Sequence, residues 1–186
     1  IKGRVIDGIE VLNKKSFQGD AKDLCGRKIV RVSRRAKMVV LEFDRWNKVL
    51  LVHLKMTGQL VWRLKSWNVK HLKRGVVGGH PTRDWMGELP NKHTRVIFNL
   101  VDGSRLFFND MRIFGWIRVL SGDDWRKMEN ELPPDVIDKS FSLGYLTRVL
   151  SKSARWVKLV IMDSAKIGGV GNIYANDALN LAKICP

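Results

Sequence analysis

The sequence predicts an α+β chain: an antiparallel β-sandwich or barrel over residues 1–120, a linker over 121–140, and a helical domain over 141–186. Three observations predict it. Up to Leu120 the apolar residues fall in strand-length runs rich in Val, Ile, Leu and Phe, separated by turn residues with no helical spacing between them. After Ser121 the apolar spacing becomes helical. Near the end, Ile167-Gly168-Gly169-Val170-Gly171-Asn172 places three glycines in four residues, ahead of Ile173, Ala175, Ala178, Leu179 and Ala182 at helical spacing.

In chain order, Val5, Ile6, Ile9 and Val11 make a first strand, and Asn13–Lys22 a polar loop turning at Gly19-Asp20. Lys28–Arg34 interleaves apolar and charged residues. Met38–Phe43 and Val49–Leu54 are two further strands, joined by Asp44-Arg45-Trp46-Asn47-Lys48 as a hairpin connection. Residues 63–93 are a long, basic, turn-rich excursion containing Lys65, Lys70, Lys73, Arg74, Gly78-Gly79, Pro81 and Pro90; loops of that length are often functional. Arg95–Val101 and Arg105–Phe108 flank Asp102-Gly103, a two-residue hairpin signal. Gly115–Leu120 adds one more strand. Gly122-Asp123-Asp124 can start a helix, and Pro133-Pro134 breaks the chain. Ser142–Leu150 and Lys152–Asp163 are helical candidates, although Arg155–Asp163 fits a buried strand as well as a buried helix, because periodicity does not separate the two.

Composition narrows the class. Among 186 residues, 34 Lys and Arg stand against 18 Asp and Glu, for a net charge of +16, and a 45% apolar content with seven tryptophans argues for a packed core. Such excess charge repels itself in a compact protein, so a polyanionic partner explains it economically. No apolar run approaches the ~20 residues needed to span a bilayer, and no membrane partner is expected. The two cysteines, Cys25 and Cys185, lack the spacing of a disulfide framework or a zinc site, as expected of a reduced, intracellular protein. The chain opens at Ile1 in mid-pattern and closes at Cys185-Pro186 as a helix finishes, so both ends read as cut.

The glycine cluster has a chemical reading. A glycine-rich turn opening a helix presents unpaired backbone N–H groups and the positive end of the helix dipole, an anion site to which Asn172 adds a side-chain amide. The alternative is a plain tight turn between packed helices. The spacing fails the G-x-G-x-x-G pattern, since Tyr174 stands at the last position.

Arg34-Arg35-Ala36-Lys37, His53-Leu54-Lys55-Met56-Thr57-Gly58-Gln59-Leu60, Asn109-Asp110-Met111-Arg112-Ile113-Phe114-Gly115 and Lys158 through Ala175, in this order, resemble the formamidopyrimidine-DNA glycosylase family. Relatives of that family include the endonuclease VIII glycosylases, and the resemblance runs over essentially the whole chain. It implies a two-layer β-sandwich joined to a helical domain with a helix–two-turn–helix element. It further implies removal of 8-oxoguanine and formamidopyrimidines from duplex DNA, followed by nicking of the abasic strand through a Schiff base. The implied partner is damaged double-stranded DNA, bound by a monomer in a bacterial cytoplasm, at the nucleoid.

By that resemblance, Met56, Arg112 and Phe114 fill the hole left when a base is flipped out, with Phe114 as the stacking wedge. Lys37, His53 and His93 contact phosphates around the lesion, which positions the protein without reading sequence. Gly171 and Asn172 grip the backbone from the glycine turn, with Lys158 on the same phosphate-facing surface. Taken singly, Met56 and Phe114 would be read as core, and His53 as an ordinary surface or core histidine. Their joint occurrence at family spacing favours the functional reading.

The family's nucleophile is an N-terminal proline amine followed by a glutamate, and an iminium formed there is the electron sink for excision and strand cleavage. Neither residue is matched in this sequence, so no catalytic residue is assigned within it; they are expected upstream of Ile1. A chain that truly began at Ile1 would instead be a non-catalytic damaged-DNA-binding module. Zinc is expected only in a four-cysteine finger beyond Pro186. Three positions depart from the family pattern: Arg95 where a second histidine is usual, Ile113 where a basic residue is common, and Lys55 in place of a glycine.

Overall fold

The computed structural model describes residues 1–65, 75–79 and 87–185, so the expected basic character of Lys70, Lys73, Arg74 and the Pro81 turn lies outside the described residues. The chain divides into two compact units, the first comprising Ile1–Ser33 and Met38–Trp125, the second Arg34–Lys37 and Arg126–Pro186.

The first unit is a sandwich of two five-stranded sheets. Its strands are β1 (Ile6–Val11), β2 (Phe17–Gln18), β3 (Ile29–Arg35), β4 (Met38–Phe43), β5 (Lys48–His53), β6 (Gly58–Arg63), β7 (Gly75–Gly79), β8 (Thr94–Leu100), β9 (Arg105–Asp110) and β10 (Trp116–Ser121). One sheet has the order β1-β8-β9-β6-β7 and the other β2-β10-β5-β4-β3. The period-two side-chain alternation builds the core: Ile6, Phe98, Leu100, Leu106 and Phe108 from the first sheet meet Ile29, Leu41, Leu50, Val52 and Ile117 from the second.

Two features depart from a simple antiparallel sandwich. The expected loop at 13–22 contains the two-residue strand β2, which pairs in parallel with β10. A short 3-10 turn at Lys14–Ser16 lies within that loop and a second, Ala21–Leu24, runs past its end, the two capped by the side chains of Asn13 and Asp20. The outer face of the first sheet is also partly buried, with Val61, Ile97 and Phe107 packed beneath Leu89. The expected excursion therefore returns over the sheet, and within it Gly75–Gly79 adds the edge strand β7 beside β6.

Helix α1 (Gly122–Glu131) begins with a reciprocal cap, in which Ser121 Oγ accepts from the Asp124 N–H at 3.0 Å and donates to its carboxylate at 2.6 Å. The expected linker at 121–140 is thus not a free span. Its first half is this helix, and beyond it Pro133 and Asp135 are buried in the second unit. That unit contains α2 (Leu143–Ser151), capped by Ser142, then α3 (Val157–Ile161) and α4 (Asn172–Leu181). Within the ambiguous stretch 155–163, Val157–Ile161 is helical, around the fully buried Val160. The helix expected from Lys152 starts only at Val157, because Trp156 is extended, with ψ at 134°.

Candidate nucleic-acid interface

In the sandwich unit, two tight turns carry the candidate residues. The first follows β5, where the Gly58 N–H donates to the Leu54 carbonyl at 2.8 Å. A Cβ on Gly58 would stand 2.3 Å from that oxygen, so the turn admits only glycine there. Lys55 sits at φ +51°, a left-handed conformation that disfavours a side chain by about 1–2 kcal/mol. This is one of the positions departing from the family pattern, and glycine would relieve its backbone. The turn leaves Met56 standing outward, 62% exposed.

The second turn joins β9 to β10 and is organised by Asp110, which is fully buried. One carboxylate oxygen accepts from the Thr57 hydroxyl and, at 3.2 Å, from the Arg112 N–H; the other accepts from the Gly115 N–H at 2.6 Å. The Arg112 N–H also reaches Thr57 Oγ at 3.2 Å. Arg95, the residue inside the register shift between Thr94 and Val96, donates its Nε–H to the Asp110 carbonyl at 2.7 Å. The carboxylate thus ties both turns together, and Gly115 is closed to any side chain by Phe108 at 2.9 Å and the His53 carbonyl at 3.0 Å.

The result is an outward-facing trio. The Arg112 guanidinium lies 3.6 Å from Met56 Sδ, and its central carbon is 5.0 Å from the centre of the Phe114 ring. Phe114 is 54% exposed. Two large apolar side chains held in water around a guanidinium are costly unless a partner covers them. Met56 and Phe114 are therefore not core residues. His53, at the end of β5, accepts from the Lys55 N–H at 3.0 Å and packs its ring 5.5 Å from Trp116. The His93 carbonyl accepts from the Asp110 N–H at 2.9 Å, tying it to the same turn.

Partial burial, together with Lys92 and Arg95, holds the His93 imidazole below its ordinary value of 6.5. The folded protein therefore binds that proton less readily than the unfolded chain. The stabilisation this gives is present above 6.5 and is lost as pH falls below it. An approaching phosphate would reverse the local field and raise the imidazole's proton affinity. In an NMR titration, His93 is expected to titrate below 6.5 in the free protein and to move upward when duplex is added; no movement would remove it from the phosphate contacts.

In the helical unit, the glycine turn is built against the segment around Asp135. The Gly168 N–H donates to the Pro134 carbonyl at 2.8 Å, and the Gly168 carbonyl accepts from Val136 at 3.2 Å. Gly169 adopts φ +87°, and a Cβ there would meet Asp135 Oδ1 at 2.4 Å. Gly171 differs: its φ is −118°, and no described atom lies within 4 Å of where its Cβ would be. It is the N-cap of α4 and makes no side-chain cap to the first N–H groups of the helix, beside the exposed Asn172. The Lys37 ammonium donates to the Val170 carbonyl at 2.6 Å, so the turn carries a cation as well as a helix dipole. Lys158 is half-buried in α3, its carbonyl accepting from Met162 at 3.1 Å. The family resemblance signalled the trio and the residue pattern signalled the turn, but neither singled out Asp110 or Asp135, whose partners are far away in sequence.

Cys25 and Cys185 are both exposed, and no group of three His, Cys, Asp or Glu among the described residues converges on a metal position. Among those residues, no helix is long and apolar enough to cross a membrane.

The chain is similar to known proteins over its whole length. Residues 1–117 match the formamidopyrimidine-DNA glycosylase N-terminal domain, and residues 132–186 the formamidopyrimidine-DNA glycosylase H2TH domain. The whole chain aligns at 33% identity with a protein named formamidopyrimidine-DNA glycosylase from Pelotomaculum thermopropionicum, and at 32% with one from Azorhizobium caulinodans. It spans 62% of the length of each. Its fold superposes with a TM-score of 0.79 and 24% identity on the Lactococcus lactis Fpg in complex with an abasic-site DNA, covering all of this chain and 62% of that one. A second structure of the Lactococcus lactis protein, with a FAPY-dG containing DNA, gives the same score over 64% of that chain.

Proposed function

The chain belongs to the formamidopyrimidine-DNA glycosylase family, and from that premise we propose that it is the lesion-capturing part of a base-excision DNA glycosylase. The substrate is duplex DNA carrying 8-oxoguanine or formamidopyrimidines. Base removal is followed by strand cleavage at the abasic site through a Schiff base. The protein acts as a monomer in a bacterial cytoplasm. No residue from Ile1 to Pro186 is assigned as the amine nucleophile. These residues grip and distort DNA.

The observation that carries the reading is the exposed trio of Met56, Arg112 and Phe114. An enzyme acting on a base inside a duplex must extrude it, and extrusion leaves an unstacked gap. Phe114 wedges the neighbouring step, Met56 adapts its unbranched thioether to the space, and Arg112 offers donors to the orphaned partner base. His53 and His93 contact backbone from the sandwich unit. Lys37, Lys158, Gly171 and Asn172 contact it from the helical unit. These contacts fix register, not sequence.

Binding to a duplex containing an abasic-site analogue, compared with undamaged duplex, tests the assignment. Phe114→Ala is expected to weaken the damaged complex roughly tenfold, about 1.4 kcal/mol, with little change on undamaged DNA, since the wedge acts only on a kinked step. Equal losses on both duplexes would refute it. Borohydride trapping on an 8-oxoguanine duplex separates the glycosylase from a binding module, which would capture the duplex without becoming cross-linked to it.

A further inference from the structure

We propose that Asp135 is a positioning residue of the DNA-binding turn: its carboxylate, paired with Arg34 and set against Gly169, fixes the backbone from Gly168 to Asn172 in the orientation that receives phosphate. This rests on the function proposed above, and extends it to a residue that touches no DNA.

Asp135 is only 2% exposed. A carboxylate so deeply buried is costly unless it is paired, and Arg34 supplies the pairing, Nη2 to Oδ1 at 2.9 Å. The second carboxylate oxygen, buried and without a hydrogen-bond partner among the described residues, stands 3.0 Å from the point that a Gly169 Cβ would occupy. The carboxylate therefore fills the side-chain space of Gly169, which sits at φ +87°, and packs directly against the backbone of the turn. Backbone contacts complete the clamp, since Asp135 and Gly168 form a parallel bridge.

Asp135 is itself fixed. Its N–H donates to Asp138 Oδ2 at 3.0 Å, and Arg35 holds that same oxygen at 3.1 Å while its other nitrogen reaches the Leu132 carbonyl at 3.2 Å. Lys37 holds the far side of the turn through the Val170 carbonyl. The run Arg34-Arg35-Ala36-Lys37 therefore directs three cations at one structural element. Two brace the segment beneath the turn, and the third meets the turn itself. None of this follows from net charge, because a buried carboxylate near a phosphate site opposes anion binding unless it performs another service.

That opposition gives the test its sign. If Asp135 acted only as a charge, its removal would tighten binding to every duplex, since a negative group would be gone. A positioning role requires the opposite on damaged DNA. Fluorescence-anisotropy titrations with the protein as it exists would compare Asp135→Ala and Asp135→Asn, each on abasic-analogue and undamaged duplex. Asp135→Ala is expected to lose about tenfold in affinity for the abasic-analogue duplex while undamaged duplex binds as well or better. Asp135→Asn keeps the shape against Gly169 and an acceptor for Arg34, and is expected to restore most of the preference although its charge is gone.

Amide exchange at Val170 and Gly171, read on the same proteins, is expected to quicken in Asp135→Ala and to return towards wild type in Asp135→Asn. Should Asp135→Ala unfold α4, Arg34→Ala carries the test from the exposed side of the pair, with a smaller loss confined to damaged DNA. Unchanged preference in the alanine variants, or equal loss on both duplexes, overturns the proposal. A wild-type protein with no preference for the abasic analogue overturns the proposed function first, and this inference with it.

Discussion

Replacing Asp110 by alanine is expected to be the most damaging single change in the sandwich unit. Its carboxylate accepts from the Thr57 hydroxyl, the Arg112 N–H and the Gly115 N–H, all at a fully buried position. Hydrogen bonds to a charged group contribute about 1.5–3 kcal/mol each, and leaving a buried N–H unpaired costs about 1–3 kcal/mol. These terms are not additive within one network, and roughly 3–4 kcal/mol is the expected total. For a chain of this size that lowers the unfolding midpoint by roughly 6–15 °C.

The same substitution releases the turn that holds Arg112 and Phe114, so preference for an abasic-analogue duplex is expected to fall further than in Phe114→Ala. Asp110→Asn keeps the volume and one acceptor, and should lose about half as much stability. Calorimetry and duplex titration on the three proteins check both effects. A midpoint within about 2 °C of wild type would show that the turn holds itself without the carboxylate.

Alanine at Gly169 and at Gly171 is expected to give opposite phenotypes, although the two glycines are neighbours in one turn. At Gly169 the added Cβ would lie 2.4 Å from the Asp135 carboxylate, at φ +87°. Left-handed strain of about 1–2 kcal/mol and displacement of the carboxylate together put the cost at roughly 2–4 kcal/mol. At Gly171 the backbone is one that any residue adopts, and the Cβ meets nothing within 4 Å among the described residues. Stability should therefore change by about 1 kcal/mol or less, the difference between glycine and alanine at an N-cap.

On the proposed function, DNA binding should nevertheless fall at least roughly tenfold in Gly171→Ala, because the methyl group would stand in the path proposed for a phosphate at the helix N-terminus. A Gly171→Ala protein that binds damaged duplex like wild type would show that phosphate does not approach the turn there. A stable Gly169→Ala would show that the contact with Asp135 yields at little cost. Chemical denaturation alongside duplex titration separates the two.

Local sequence determined a great deal here. The hairpin at Asp102-Gly103 and the strands around it follow from turn chemistry and alternation, both short-range effects. The helical character of 143–151 and the glycine-opened helix at 172–181 were legible from spacing. The family pattern nominated Met56, Arg112 and Phe114 as void fillers, against the core reading that an isolated Met or Phe beside a strand would receive. Only the two turns, closed by Gly58 and Gly115, turn those side chains outward and bring them together.

The remainder depended on contacts that no window of sequence contains. Within Arg155–Asp163, Val157–Ile161 is helical around Val160, which finds a buried place in the second unit, a choice that apolar periodicity alone does not make. The parallel pairing of Phe17 with Ile117 joins residues a hundred positions apart. Asp110 answers Thr57 across a sheet, and Asp135 answers Arg34 and Gly169. A buried carboxylate is tolerated only where its partners converge, and convergence belongs to the fold. The sequence by itself, through its family resemblance, determined which residues are proposed to meet DNA. The tertiary structure decided which acids hold them in place.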